Sequence, residues 1–176
     1  LEIYQWAKNN DINTGFIATG QIGITLMGQG IPLDAIKVDH ACGAVEQIVL
    51  KNRDKSLLII EGQGSLLHPG SSASLPLIRG SCPTDMILCH RADKVTLRNL
   101  EKIKIPELKD FIDLNESLAS ACGTYGTPKV IGIALNTSKL SKSDSLNYIV
   151  NLEKQTGLPV TDVIRFGVEK IVRQLL

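Results

Sequence analysis

The chain has 176 residues, 43% apolar and 21% charged, with 19 basic against 18 acidic groups and a net charge of +1. That balance fits a globular domain with a full-sized core and argues against disorder. It supplies no general attraction to nucleic acid or to an acidic membrane surface, and no apolar run approaches the ~20 residues of a membrane helix, so neither partner is expected.

Leu1 lies inside a helical pattern in which Leu1, Ile3, Tyr4 and Ala7 share a face. No initiator Met and no capping residue precede it, which reads as a cut through a longer protein. GFIATG is a short buried strand, followed by a Gly-rich loop, GQIGITLMGQGIPLD. AIKVDH reads as a second strand, and Ala41 to Asn52 as a helix with Val45, Ile48 and Val49 inward. SLLIIEG is the strongest strand, because Leu57–Ile60 is continuously apolar, as when both faces of a parallel sheet are covered. SSASLPLIRG starts a short helix with Ser71–Ser74 supplying capping oxygens, and DMILCH is another strand. A helix runs from about Pro106 to Cys122, with Gly123 as its stop. PKVIGIALN is a strand, Ser143 to Gly157 a helix burying Leu146, Ile149, Val150 and Leu152, LPVTDV a strand, and Arg165 to Leu176 a closing helix.

This alternation predicts an α/β fold of three layers, α/β/α, around a mostly parallel sheet. No linker or repeat divides the chain, so residues 1–176 are expected to form a single domain. Cys42, Cys82, Cys89 and Cys122 are scattered without a C-x-x-C pair, and read as buried free thiols in a reducing cytoplasm rather than zinc ligands. Apolar groups in the Leu26–Ile31 loop lead us to expect a homo-oligomer.

Open α/β sheets bind ligands at the carboxyl ends of their strands, and the polar groups of this sequence cluster there. Glu61, directly after Leu57–Ile60, could bind Mg²⁺ or simply face water. Gly62, Gln63, Gly64 and Ser65 follow as a turn whose N–H groups could approach a phosphate. Gly20, Gln21 and Gly23 offer a second, weaker glycine loop. Asp39 could join Glu61 at a metal or cap the next helix. His68 could act as a general base or phosphate contact, or be an exposed loop histidine. His40 and His90 carry weaker versions of the same signal. Asn136 could bond the edge of a base or occupy a left-handed turn, and Arg79 and Arg165 could pair with anions or with neighbours. There is no G-x-x-x-x-G-K-[ST] and no G-x-G-x-x-G.

GFIATGQIGI, IPLDAIKVDHACGAVE, IIEGQGSLLHP, MILCHRA and TGLPVTDVIRFG, in that order, resemble the C-terminal domain of the D-glutamate N-acetyltransferase-like family over essentially the whole chain. EGQGS is also similar to the matching strand and loop of dethiobiotin synthetase, a more distant relative. The resemblance implies a P-loop NTPase-like domain, N-terminally truncated, without its phosphate loop and the Rossmann-like domain that normally precedes it. It also implies acetyl transfer from acetyl-CoA to the amino group of D-glutamate or a related D-amino acid, a small-molecule substrate. On that reading Gly62–Ser65 grip the CoA pyrophosphate, Asn136 lies near the adenine, and Glu61 or His68 deprotonates the amine. The dethiobiotin synthetase likeness implies instead an ATP-dependent ligase or kinase with Mg²⁺ held by Asp39 and Glu61. A non-catalytic nucleotide-binding module is the third reading, and the fragment by itself is expected to be inactive under all three.

Overall fold

A computed structural model of the chain describes residues 1–175. Helices and strands interleave as the sequence predicts, and all strand pairs but one hairpin are parallel. The fold is α/β. Contacts divide the chain into two compact units, one formed by Ile3–Cys82 with Leu1, the other by Pro83 onward with Glu2. Among the described residues no helix is long and apolar enough to cross a membrane.

The first unit contains α1 (Glu2–Asn9), β1 (Thr14–Ile17), α2 (Gln21–Met27), α3 (Val38–Lys51), β2 (Leu57–Ile60) and α4 (Ser74–Ser81). β1 and β2 run parallel, from Thr14 beside Leu57 to Ile17 beside Ile60. α1 buries Ala7 and sets the Tyr4 ring 5.7 Å from that of Phe16. Ile31, Leu33, Val45 and Leu77 form the core, with Ile36, Ile48, Val49 and Ile60 packed against it. The inward face expected for α3 is the observed one.

Two expectations fail here. GQIGITLM is not a loop but α2, closed by Gly28 in the left-handed conformation at φ 69°. AIKVDH is not a strand: a single 3-10 turn, Leu33–Ala35, leads into α3 at Val38. Ile36 and Val38 are β-branched and favour strands locally, but Ile36 is drawn onto the core and the chain turns helical after it. Ile31 is nearly buried whereas Leu26 is 61% exposed, so only part of the supposed apolar loop faces outward.

α3 and α4 cross closely at Gly80. A Cβ there would stand 2.4 Å from the Cys42 carbonyl oxygen and 2.8 Å from the Val45 Cβ. Backbone cannot yield as a side chain can, so Gly80→Val should destabilise the protein by about 1–3 kcal/mol, the usual cost of overpacking. Thermal denaturation checks it; an unchanged midpoint would contradict the close crossing.

The second unit contains β3 (Asp85–Arg91), β4 (Thr96–Leu97), β5 (Leu100–Lys104), α5 (Leu108–Ser120), β6 (Lys129–Asn136), α6 (Lys142–Thr156), β7 (Val160–Thr161), α7 (Val163–Phe166) and α8 (Glu169–Val172). β3, β6 and β7 form a parallel sheet in that order. Ile112, Val130, Ile133, Leu135, Ile149, Leu152 and Val160 make its core. Burying each large aliphatic side chain contributes about 1.5–3 kcal/mol before entropy is counted. α6 is capped by Ser141, whose hydroxyl accepts from the Asp144 N–H, and it ends at Gly157 with φ 70°.

The β4–β5 hairpin is unexpected, because VTLRNLEKIKI lacks an Asn-Gly turn and alternates charge with aliphatics on a short pair whose second strand is mostly exposed. The closing helix is two helices, α7 and α8, broken at Gly167 with φ 80°. The last residue of that predicted helix, 176, lies outside the described residues. On α6, Ile149 and Leu152 are buried as predicted, while Leu146 and Val150 are about half exposed. The cysteines are free, but all four are exposed rather than buried.

Candidate functional site

Glu61 follows β2 directly, at the carboxyl-terminal edge of the β1–β2 pair. Its backbone N–H continues the ladder to the Ile17 carbonyl at 2.9 Å. Its Oε2 accepts the backbone N–H of Thr19 at 2.8 Å and of Gly20 at 3.0 Å. Thr19 is fully buried, and its hydroxyl donates to the Glu61 carbonyl at 2.9 Å. The carboxylate therefore sits on the first N–H groups before α2, where unsatisfied donors favour negative charge. Gly23 makes room for it: a Cβ there would lie 2.3 Å from Oε2. The sequence placed Gly20, Gln21 and Gly23 in a phosphate-type loop. They instead open a helix whose leading N–H groups hold a carboxylate of the chain itself.

The other side of Gly20 is closed by residues 31–33. The Ile31 N–H donates to the Ala18 carbonyl at 2.8 Å and the Leu33 N–H to that of Thr19 at 3.3 Å. Gln21, exposed, points its amide at Asp34 Oδ2, 3.4 Å away. Asp39 is exposed in the first turn of α3, not at a strand end, because Val38–His40 open that helix. His40 neighbours it, also exposed.

The loop after Glu61 is tied down by hydroxyls that sequence reasoning assigned differently. The Ser65 N–H donates to Ser71 Oγ at 3.0 Å, and the Ser74 hydroxyl donates to the Gln63 carbonyl at 2.9 Å. Ser74 has then spent its only proton, so the 3.3 Å contact between the two hydroxyls has Ser71 as donor. These serines were expected to cap α4; its cap position is Ala73, without a side-chain bond, and the serines hold the loop instead. Gly64, at φ 70°, is obligatory because a Cβ would meet Ser71 Oγ at 1.9 Å. Among the described residues nothing accepts from the backbone N–H of Gly62, Gln63 or Gly64, and Gln63 Oε1 is buried without a partner. Three successive open donors are what an anion would need there.

His68 shares this loop. Its Nδ1 accepts the Gly70 N–H at 3.1 Å, so the neutral ring carries its proton on Nε2 and its one lone pair is engaged. Acting as a base would require that bond to open. Glu61 keeps a second oxygen outside its two backbone bonds and is the better placed proton acceptor.

In the second unit, Asn136 ends β6 and is exposed. Its Oδ1 accepts the Ser138 N–H at 3.0 Å, a local turn that leaves the Nδ2 donors outward. Beside it lies a group the sequence analysis passed over. Asp162 is 4% exposed, and its Oδ2 accepts both the N–H and the hydroxyl of buried Thr137. Its Oδ1 accepts the N–H groups of Ile164 and Arg165, capping α7. Burial pushes this carboxyl up, but the donors from Thr137, Arg165 and Ile164 outweigh it and hold it below its ordinary range. An Asp just after a strand in PVTDV was the available signal. Arg165 is structural as well, donating to the Leu140 carbonyl at 3.0 Å and to Ser145 Oγ at 2.8 Å.

Known proteins match this arrangement along its length. A D-glutamate N-acetyltransferase of Tritonibacter scottomollicae is 35% identical over 93% of this chain and 49% of its own length. One from a Pseudoalteromonas species is 35% identical over 99% of this chain and 52% of its own. The chain thus spans about half the length of the curated relatives it matches. The crystal structure of a DUF1611 family protein from Anabaena variabilis superposes with a TM-score of 0.96 at 47% identity, over 99% of this chain and 51% of that one. The family model of DUF1611, a domain of unknown function described as a P-loop domain, matches residues 1–172, and the chain belongs to that family.

Proposed function

We propose that the full-length protein transfers an acetyl group from acetyl-CoA to the amino group of D-glutamate or a closely related acidic D-amino acid. The observation that carries this reading is the 35% identity, over nearly the whole chain, to relatives named D-glutamate N-acetyltransferase. The geometry supports it in two places. The open N–H groups of Gly62, Gln63 and Gly64, with Ser65 behind them, fit a pyrophosphate, and the orphaned Gln63 Oε1 fits a donor beside it. When bound, CoA supplies the activated acetyl thioester. Glu61 then takes the proton that the amine loses on attack, through the oxygen outside its two backbone bonds.

The P-loop description favours a second reading, ATP with Mg²⁺ as in a ligase or kinase. Glu61 is the carboxylate available to it, while Asp39 stands in a helical first turn. Calorimetry and a thiol-release assay on the full-length protein separate the two. Acetyl-CoA binding, and free CoA appearing only when D-glutamate is added, with or without a chelator, supports acetyl transfer. Binding of ATP-Mg but not acetyl-CoA overturns it.

A further inference from the structure

We propose that the second unit carries a binding site for a small dicarboxylate, in the cleft bounded by the β4–β5 hairpin, the start of α5 and one face of α6. The cleft is open to solvent on one side and offers about 460 Å³ of space. Lys94, Lys104 and Lys109 line it, against the single carboxylate of Glu107. That excess of cations does not reflect the chain as a whole, which is nearly neutral. Lys104 has no ion pair among the described residues. Lys94 and Lys109 make only loose, exposed ones, at 4.0 Å to Asp93 and 3.5 Å to Asp113. Pairs of that kind are readily exchanged for a better anion.

Behind the lysines the wall is mixed. His90, near the carboxyl end of β3, and Tyr148, on α6, both line the cleft and are half-buried. Among the described residues neither side chain has a hydrogen-bond partner. Burial pushes the His90 imidazole down, against the nearby Asp93, so that it is neutral and able to donate or accept; burial raises the Tyr148 hydroxyl, which stays a donor. Leu108 and Leu152 supply an apolar floor suited to a short methylene chain. Cations at the rim, neutral donors within and an aliphatic floor match a molecule with two carboxylates separated by methylenes.

The dicarboxylate site does not rest on the acetyl-transfer reading. Titrations of D-glutamate, of glutarate, which lacks the amine, and of uncharged glutaramide into the full-length protein test it. Glutarate and D-glutamate should bind and glutaramide should not. The exposed pair Lys94→Ala/Lys104→Ala should weaken both acids about tenfold, and the corresponding double arginine variant should restore most of it. Equal affinity in the alanine double variant, or equal binding of glutaramide, overturns the site. If glutarate binds through the lysines but D-glutamate is never acetylated, the enzymatic reading falls and the site stands.

Discussion

Asp162→Ala should be among the most damaging single substitutions in the chain, costing about 3–5 kcal/mol, or roughly 10 °C in Tm. The carboxylate receives four hydrogen bonds, from Thr137 N–H and hydroxyl and from the N–H groups of Ile164 and Arg165. Thr137 is 1% exposed, so its two donors cannot turn to water when the acceptor goes. Asp162→Asn keeps one acceptor oxygen and should cost less than half as much. The pH dependence separates charge from shape. Since the folded carboxyl is held below its ordinary range, its contribution is complete above the unfolded value and fades as pH falls from about 4 through the lower folded value. Wild type should therefore lose stability on acidification more steeply than Asp162→Asn. Denaturant melts between pH 2.5 and 7 measure this; parallel curves for the two proteins would show that the carboxylate charge contributes nothing.

The parts of the fold that were legible share a physical cause. β2, β3 and β6 are aliphatic runs bounded by turn residues, and α3, α5 and α6 carry apolar residues at helical spacing, so local pattern defines each element. Burial follows it in β6 but not in β2 or β3, whose residues are half-buried or exposed rather than covered on both faces. Local pattern misled where a long-range contact overrides it. Gln21–Met27 has two glycines at its borders and one inside, poor helix material, yet Glu61, some forty residues on, holds its leading N–H groups. Ser71 and Ser74 look like caps, and no window of sequence discloses that their partners are Ser65 N–H and the Gln63 carbonyl. The same contacts explain the uneven legibility of the site. Glu61 was found because it ends a strand. Its partners Thr19 and Gly23, and the role of Gly64 in clearing Ser71, depend on approaches that only the folded chain creates.

Glu61 is where stability and chemistry can be pulled apart. Glu61→Ala removes the acceptor for two N–H groups, one belonging to fully buried Thr19, and should cost about 2–3 kcal/mol together with activity. Glu61→Gln is the informative variant. A glutamine oxygen in the place of Oε2 still receives both N–H groups, and only the strength of a charge-assisted bond is lost, about 1 kcal/mol. If Glu61 accepts the amine proton, acetyl transfer should fall by about 10²–10⁴ in kcat in this nearly stable protein, with KM for D-glutamate little changed. If Glu61 only anchors α2, Glu61→Gln should retain near wild-type kcat, and that outcome would remove it from the proton-transfer role. Gly23→Ala supplies the converse. It leaves the carboxylate in the chain but puts a methyl 2.3 Å from Oε2, so the carboxylate must leave the α2 N–H groups. Its stability should fall toward that of Glu61→Ala, because the lost element in both is the same pair of backbone bonds. A Gly23→Ala protein as stable as wild type would mean that those bonds do not hold α2 in place.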